Sequence, residues 1–284
     1  MSAASRQWDA QGLFLVLNAA EGDLQIAVGD REGKLLFGSV ISAQSRGAEV
    51  LAPALESGFS LLGRRMADVA RVAAVRGPGS FTGVRLTAAT AAALSRAVSA
   101  SQAGLDYMRC IARECLPFCK SMPAEALLWI LVRARRDLVY AQPFLHDRGD
   151  SLSFRALADL AVLPVSGGEA AAHILETVSL HGASRVLLAG SGARENRDHF
   201  VVAFGAKDMR ATFLDVVAPW PKTLLAEARA AEYGEADIEP LYVRVSDAEA
   251  DLPRIAVRLG LDPDDAAETL RRLTHALPEE DSEN

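Results

Sequence analysis

The sequence of 284 residues is poor in cysteine, aromatic residues and basic charge, and each shortage argues against a class of protein. Its three cysteines cannot all pair with one another, so we expect a reducing, cytoplasmic location rather than a disulfide-rich secreted scaffold. No stretch reaches the roughly 18 consecutive apolar residues of a membrane-spanning helix. The 30 Lys and Arg residues are outnumbered by 37 Asp and Glu residues, which argues against nucleic-acid binding through a uniformly positive face.

Residues that hold metals or act as nucleophiles are also scarce. The five histidines form no His-x-x-x-His or His-Glu-x-x-His pair, the spacings that place two imidazoles on one helix face. The cysteines, Cys110, Cys115 and Cys119, lack the Cys-x-x-Cys spacing of zinc sites. We interpret them as free thiols, with a metal or redox site as the alternative. The sequence therefore assigns no metal site and no catalytic residue.

The acidic excess is concentrated at one end of the chain. Residues 246–284 contain 11 acidic and four basic residues, an excess of seven that equals the net charge of −7. Within them, Asp262 and Pro263 are typical of a helix start, and apolar residues continue at helical spacing to Leu277. We predict an acidic C-terminal extension with a helix at 262–277, which either packs back on the body or docks to another protein.

The apolar pattern of the remaining chain predicts two similar α/β halves. In the first half we predict strands at 13–17, 24–28, 34–40 and 71–75, and amphipathic helices at about 47–63 and 84–100. A similar order restarts near Ala126, with strands at 127–132, 138–145, 151–155 and 185–189, and a helix at 168–180. Three meandering strands followed by alternating helix and strand are typical of ribonuclease-H-like units. We therefore predict lobes at 13–118 and 119–245, followed by the extension at 246–284.

One segment between a strand and a helix is unusually rich in glycine: Arg76, Gly77, Pro78, Gly79, Ser80, Phe81, Thr82 and Gly83. Glycine permits unusual backbone angles, and free amides at a helix start can hold an anion. It is not a P-loop, because no Gly-Lys-Ser/Thr follows at the required spacing. Phosphate binding and a tight structural turn both remain open for this segment, which we call the signature loop.

As a string, the signature loop resembles the signature of the TsaB (YeaZ) family of tRNA threonylcarbamoyladenosine biosynthesis proteins. Residues 134–141, 186–193 and 239–249 are similar to three further segments of that family, in family order. The resemblance implies a two-lobed fold of the actin/Hsp70/sugar-kinase type. It also implies a non-catalytic subunit that binds and stabilises the metal-dependent, TsaD-like threonylcarbamoyl transferase, which modifies adenosine 37 of ANN-decoding tRNAs.

The resemblance further implies where partners bind. The transferase would contact helices of the first half, an associated ATPase subunit would join the complex, and tRNA would be bound through the complex. A homodimer is expected when the chain is alone. No cofactor is expected in the isolated chain, with ATP or ADP at the partner interface as a possibility. The partner-binding residues carried over are Val50, Leu51, Leu55, Phe59, Leu86, Ala89 and Ala93.

The chain departs from the family pattern at the end of its first strand. Asn18 stands where family members usually have an aspartate, and an amide can neither act as a general base nor give a hard cation negative charge. Arg133 stands where the second half often has an acid. The alternative function is an ATP-dependent kinase or hydrolase of the actin-like fold. That enzyme would need an acid at Asn18 and phosphate loops in both halves, and only Gly190-Ser191-Gly192 suggests the second loop.

Overall fold

In the computed structural model, the chain forms two mixed β-sheets with helices packed against them. The structure describes residues 12–42, 46–119, 126–147, 153–241, 256, 258 and 262. The strands of the first sheet are β1 (Leu13–Asn18), β2 (Asp23–Gly29), β3 (Leu35–Ser42), β4 (Val69–Gly77) and β5 (Ser101–Asp106). The helices of this half are α1 (Gly47–Leu62), α2 (Phe81–Val98), α3 (Tyr107–Glu114) and the short α4 (Leu116–Cys119).

The second half repeats this plan. Its strands are β6 (Ala126–Arg135), β7 (Leu138–Asp147), β8 (Ser153–Ala156), β9 (Ala161–Pro164), β10 (Arg185–Ala189) and β11 (Arg210–Phe213). Its helices are α5 (Glu169–Leu180), α6 (Ser191–Glu195), α7 (Arg197–Gly205) and α8 (Pro221–Ala230).

The strand order shows that the two sheets share one topology. The first sheet has the order β3-β2-β1-β4-β5, and the second has β11-β10-β6-β7-β8 with β9 also paired to β7. In each sheet the first hairpin is antiparallel, and the later strands run parallel to the first strand. This duplicated arrangement is the predicted α/β fold of two ribonuclease-H-like lobes, of the actin/Hsp70/sugar-kinase type.

The continuous apolar runs of β1 and β6 are explained by burial on both faces. Successive side chains of a strand point to opposite faces. In β1, Phe14 and Val16 face a core shared by the two sheets, whereas Leu15 and Leu17 face a separate core under α1 and α2. The second sheet likewise has an outer core of its own, under α5 and α7. A strand buried on both faces reads as an unbroken apolar run rather than an alternating one.

Local sequence sets the helix boundaries near the first sheet. The side chain of Ser80 accepts a hydrogen bond from the amide of Gly83 and so caps α2 three residues earlier than predicted. Asp106 caps α3 through the amide of Arg109, at 3.2 Å. Gly63 ends α1 with a φ of 60°, a left-handed conformation that glycine adopts at low cost.

The last described elements return from the second half to the first. Helix α8, started by Pro221 at its first position, packs against β1, β2 and β3 and contributes to the shared core. Residues 233–241 then follow the edge of the first sheet. Gly234 pairs with Gln102 through two backbone hydrogen bonds, and the amide of Leu241 donates to the carbonyl of Arg76 at 2.7 Å. The end of this segment therefore lies against the signature loop.

The sequence predicted the long apolar strands and helices well but missed several short elements. Strands β5, β9 and β11 and helices α3, α4, α6, α7 and α8 are not among the predicted elements. The helix predicted at 262–277 lies outside the described residues apart from Asp262. No helix in the described part of the chain combines the length and apolar composition needed to cross a membrane.

Candidate functional site at the carboxyl ends of the strands

The carboxyl ends of the parallel strands from both sheets meet at one edge of the molecule. Strands β1 and β4 run parallel, as do β6 and β10, so each pair ends at the same edge of its own sheet. A hydrogen bond from Ser191, directly after β10, to Glu21, shortly after β1, joins the two edges. In open α/β sheets, ligands bind in the crevice outside these strand ends. This edge is therefore the candidate site.

The signature loop packs closely against the turn that follows β1. A Cβ atom on Gly79 would lie closer than 3.0 Å to the carbonyl oxygen of Ala20, and one on Gly83 would lie equally close to that of Ala19. Real Cβ atoms essentially never approach that closely. Gly77 has a φ of 117°, a conformation that favours glycine, and its peptide bond to Pro78 is cis. The glycines are thus required by backbone packing.

Backbone amides of the loop have partners within the chain. The amide of Ser80 donates to the carbonyl of Ala20 at 2.6 Å, and that of Gly83 donates to the Ser80 hydroxyl at 3.3 Å. An anion held at the start of α2 would have to compete with these hydrogen bonds. The geometry therefore favours the tight structural turn over phosphate binding at these two amides.

Asn18 is a buried structural residue at the end of β1. Its side chain is 3% exposed, and its oxygen accepts a hydrogen bond from the amide of Ala20 at 3.0 Å. Its nitrogen donates to the side-chain oxygen of Gln25 at 2.7 Å, and the Gln25 nitrogen donates to the carbonyl of Pro219 at 2.8 Å. Both ends of the Asn18 amide are engaged, so the donor and the acceptor are each needed to hold this turn.

Glu21, a residue that the sequence does not single out, brings a carboxylate to this edge. It accepts hydrogen bonds from the hydroxyl of Tyr107, at 2.7 Å, and from the hydroxyl of Ser191. Burial raises the pKa of Glu21, against the lowering effect of the two hydroxyls and of Arg133. A signal was present in the sequence, since Glu21 follows β1 by three positions and Gly190-Ser191-Gly192 follows β10 at the same kind of edge.

Two charged side chains of the second half flank this carboxylate. The guanidinium of Arg133 lies 3.6 Å from the carboxylate of Glu195, and its side chain is 60% exposed. The backbone amide of Arg133 donates to the Ser191 hydroxyl at 2.9 Å. Arg133 thus contributes charge and a backbone donor at the place where the family often has an acid.

The structure divides the predicted partner-binding residues into two groups. Leu51, Leu55 and Phe59 are only 3–6% exposed and pack in the outer core of the first sheet. Val50 and Leu86 are half-buried against the same core, whereas Ala89 and Ala93 are exposed on α2. Helices α1 and α2 cover one face of the sheet side by side, so the buried residues hold this face together and the exposed ones are available to a partner.

The described residues do not fit a metal centre. Among them, no three His, Cys, Asp or Glu side chains come close enough together to hold an ion. Cys110 and Cys115 are buried and are not joined in a disulfide bond, and burial raises the pKa of Cys110 well above its ordinary value. A thiol with a raised pKa is a poor nucleophile and a poor metal ligand at neutral pH. The side chain of Cys119 lies outside the described part.

Comparison with known proteins identifies the family. Residues 41–195, more than half of the chain, match the family model described as TsaD, tRNA N6-adenosine threonylcarbamoyltransferase. The chain belongs to this family. Membership supports a role in the threonylcarbamoyladenosine modification of tRNA.

Two solved structures from Pseudomonas aeruginosa share the fold. YeaZ is 21% identical, with a TM-score of 0.60, and the match covers 82% of this chain and all of YeaZ. A second protein, described as uncharacterized with similarity to the peptidase YEAZ, is 23% identical with the same coverage and TM-score. The resemblance to TsaB (YeaZ) proteins predicted from the sequence is therefore confirmed at the level of family and fold.

Proposed function

We propose that this chain is a non-catalytic subunit that binds and stabilises a metal-dependent threonylcarbamoyl transferase, for the modification of adenosine 37 in ANN-decoding tRNAs. The observation that supports the proposal is that polar groups at the strand-end edge already have hydrogen-bond partners within the chain. Where this fold would place a ligand, the Asn18 amide, the Ser80 amide and the Glu21 carboxylate all form hydrogen bonds within the chain. A family member whose polar groups at this edge are engaged within its own chain acts through its surface and not through chemistry of its own.

The proposed partner surface is the exposed face of α2. Thr82, Arg85, Ala89 and Ala93 follow one another at intervals of three or four residues, so they share one face of the helix, and all four are exposed. The guanidinium of Arg85 stacks 3.8 Å above the ring of Phe81 at the start of this face. Small alanines let another helix approach closely, and the arginine–aromatic pair supplies a larger anchor.

Helix α1 supports this surface. Its buried residues, Leu51, Leu55 and Phe59, fix it against the first sheet beside α2, and the half-buried Val50 and Leu86 lie against the same core. The surface thus rests on a rigid base, which reduces the entropy lost on binding. The complex would also take up an ATPase subunit, with ATP or ADP bound where subunits meet, and would bind tRNA as an assembly. Without the transferase, the same face would support a homodimer.

The test is complex formation, measured by light scattering during size-exclusion chromatography with the transferase subunit of the same organism. The wild-type chain is expected to form a defined mixed complex. Ala93→Glu places a charge in the contact and is expected to weaken binding at least about tenfold, or 1.4 kcal/mol. The matched control is Ala172→Glu, an exposed alanine on α5 of the other half, which should bind like the wild type.

The outcomes separate the parts of the proposal. Equal binding by Ala93→Glu and the wild type would contradict the α2 surface but leave the partner role intact. Separate elution of the wild-type chain and the transferase, with and without ATP, would contradict the partner role itself. Magnesium-dependent ATP turnover by the isolated chain, abolished by Gly79→Ala in folded protein, would support the kinase or hydrolase alternative.

A further inference from the structure

One carboxylate links the two halves of the chain at the strand-end edge. Glu21 lies in the turn between β1 and β2 of the first sheet, and Ser191 lies directly after β10 of the second. The Ser191 hydroxyl donates to one oxygen of Glu21, and the Tyr107 hydroxyl donates to the other at 2.7 Å. Tyr107 begins α3, which contributes to the core that the two sheets share. Glu21 therefore joins three elements that are far apart in sequence.

The chain of hydrogen bonds continues into the second sheet. Ser191 both donates to Glu21 and accepts the backbone amide of Arg133, at 2.9 Å, on strand β6. The two hydroxyl residues are buried, since Tyr107 is 1% exposed and Ser191 is 7% exposed. Water competes poorly for hydrogen bonds in such a place, so each bond restrains its partners more than a surface bond would.

We propose that Glu21 is a latch that holds the strand-end edges of the two sheets together through its hydrogen bonds to Tyr107 and Ser191. When the latch is closed, the turn after β1 and the turn after β10 are fixed to each other. When it opens, Glu21 becomes solvated and the two turns separate locally. This inference concerns the isolated chain, and its outcome does not depend on the proposed partner role.

The charges around the latch make it sensitive to pH. Besides the two hydroxyls, Glu21 faces Arg133 on β6, which stabilises the carboxylate, and Glu195 on α6, which opposes it, while Asp23 on β2 acts on Tyr107. Burial outweighs the favourable contacts and raises the pKa of Glu21 above its ordinary value of 4.5. The closed state therefore binds the proton more tightly than the open state. Closure is favoured at low pH and weakens as pH rises through the raised pKa.

Hydrogen exchange at the backbone amide of Arg133 measures the opening. This amide bonds to Ser191 but not to Glu21 or Tyr107, so substitutions at the latter two leave its acceptor in place. Glu21→Ala is expected to raise its exchange about tenfold, and Tyr107→Phe several-fold. The double variant should exchange no faster than Glu21→Ala alone, because both changes act through one carboxylate. The exchange of the Gln102 amide, which bonds to the carbonyl of Gly234 near the amino end of β5, should change much less.

Glu21→Gln isolates the role of the charge while keeping a side chain of the same shape. It should retain protection of the Arg133 amide but lose the pH dependence expected of the wild type as pH rises from the ordinary value of 4.5 through the raised pKa of Glu21, after correction for intrinsic exchange. The matched control is Glu32→Gln, an exposed glutamate in the next turn of the same sheet, which should behave like the wild type. If Glu21→Ala does not fold, hydrogen exchange at the Arg133 amide is measured in Glu21→Gln and Tyr107→Phe instead.

Three results would overturn the latch. One is unchanged exchange of the Arg133 amide in Glu21→Ala. A second is an equal increase at Arg133 and Gln102, which would mean general destabilisation instead of local opening. The third is a pH dependence in Glu21→Gln that matches the wild type.

Discussion

In both halves of this chain, glycine lets two backbone segments pack closely together, but the serine that follows the glycine makes different contacts in each half. In the first half, Gly79 and Gly83 bring the loop after β4 against the carbonyls of Ala20 and Ala19. In the second half, Gly190, with a φ of 100°, brings the turn after β10 against the carbonyl of Leu131. Close approach of one backbone to another requires a residue without a Cβ atom in both places.

The serines that follow these glycines, Ser80 and Ser191, make different contacts. Ser80 caps α2, a helix of 18 residues, by accepting the amide of Gly83. Ser191 begins α6, a helix of only five residues, and its hydroxyl is directed across to Glu21 in the other half. A shared topology thus supports a long, rigid helix with an exposed face in one half and a contact between the sheets in the other. The close backbone contacts at these two turns are alike in the two halves, whereas the side-chain contacts of the serines differ.

Substituting the contact glycines should produce the largest effect. Gly83→Ala and Gly190→Ala each force a Cβ atom against a backbone carbonyl, and Gly190 also has a positive φ. Each change is expected to lower the free energy of unfolding by about 3 kcal/mol or more, near the upper end for single substitutions. Urea denaturation measures this, with Gly205→Ala as the control, because no heavy atom other than those of its chain neighbours and its own helix backbone lies within 4 Å of its Cβ position. A small loss of stability in either Gly83→Ala or Gly190→Ala would contradict the proposal that the two backbone contacts are equivalent.

Restoring the family acid at the end of β1 should have a moderate effect. Asn18→Asp removes the donor to Gln25 and places two oxygens against each other in a buried site. Gln25 cannot rotate its amide to help, because its nitrogen is needed by the carbonyl of Pro219. We expect a loss of about 1–3 kcal/mol at neutral pH, measured by urea denaturation. Equal or greater stability of the variant would show that this turn still accommodates a carboxylate.

Removing the two serine hydroxyls should have the smallest effects and should distinguish the halves by pH. Ser80→Ala removes a helix cap, with an expected cost of about 1 kcal/mol that does not vary between pH 5 and 8. Ser191→Ala removes a donor to Glu21. Because hydrogen bonds to an ionised carboxylate are stronger than those to its neutral form, its cost should grow as pH rises through the raised pKa of Glu21. Thermal or urea unfolding across this range measures both. If the stability lost in Ser80→Ala and in Ser191→Ala depended on pH in the same way, the proposed difference between the two serines would be wrong.

Sequence reasoning succeeded where one residue pattern dominates a segment. Helix α1 spans Gly47–Leu62 against a predicted 47–63, and strand β10 spans the predicted residues Arg185–Ala189. It failed where the local pattern is weak. Strand β5 has the sequence Ser-Gln-Ala-Gly-Leu-Asp, without β-branched residues, and it is held by pairing with β4 and by the Gln102–Gly234 bridge.

For the candidate site, the sequence identified the signature loop, Asn18 and the Gly190-Ser191-Gly192 turn as unusual. It could not identify which residues meet. Glu21, Tyr107 and Ser191 show no common spacing, and only the facing of the two sheets brings them together. It also could not separate buried from exposed residues on α1, where Leu51, Leu55 and Phe59 are core residues of the first sheet.

The sequence by itself determined the secondary-structure plan, the duplicated α/β fold and the family, because apolar periodicity and glycine spacing are local properties of the chain. Only the tertiary structure decided what those elements do at the strand ends. Whether an amide is free for a ligand, and whether a carboxylate is solvated or buried, depends on contacts between residues more than 80 positions apart. Such contacts are set by how the sheets pack, and local residue patterns carry little information about them.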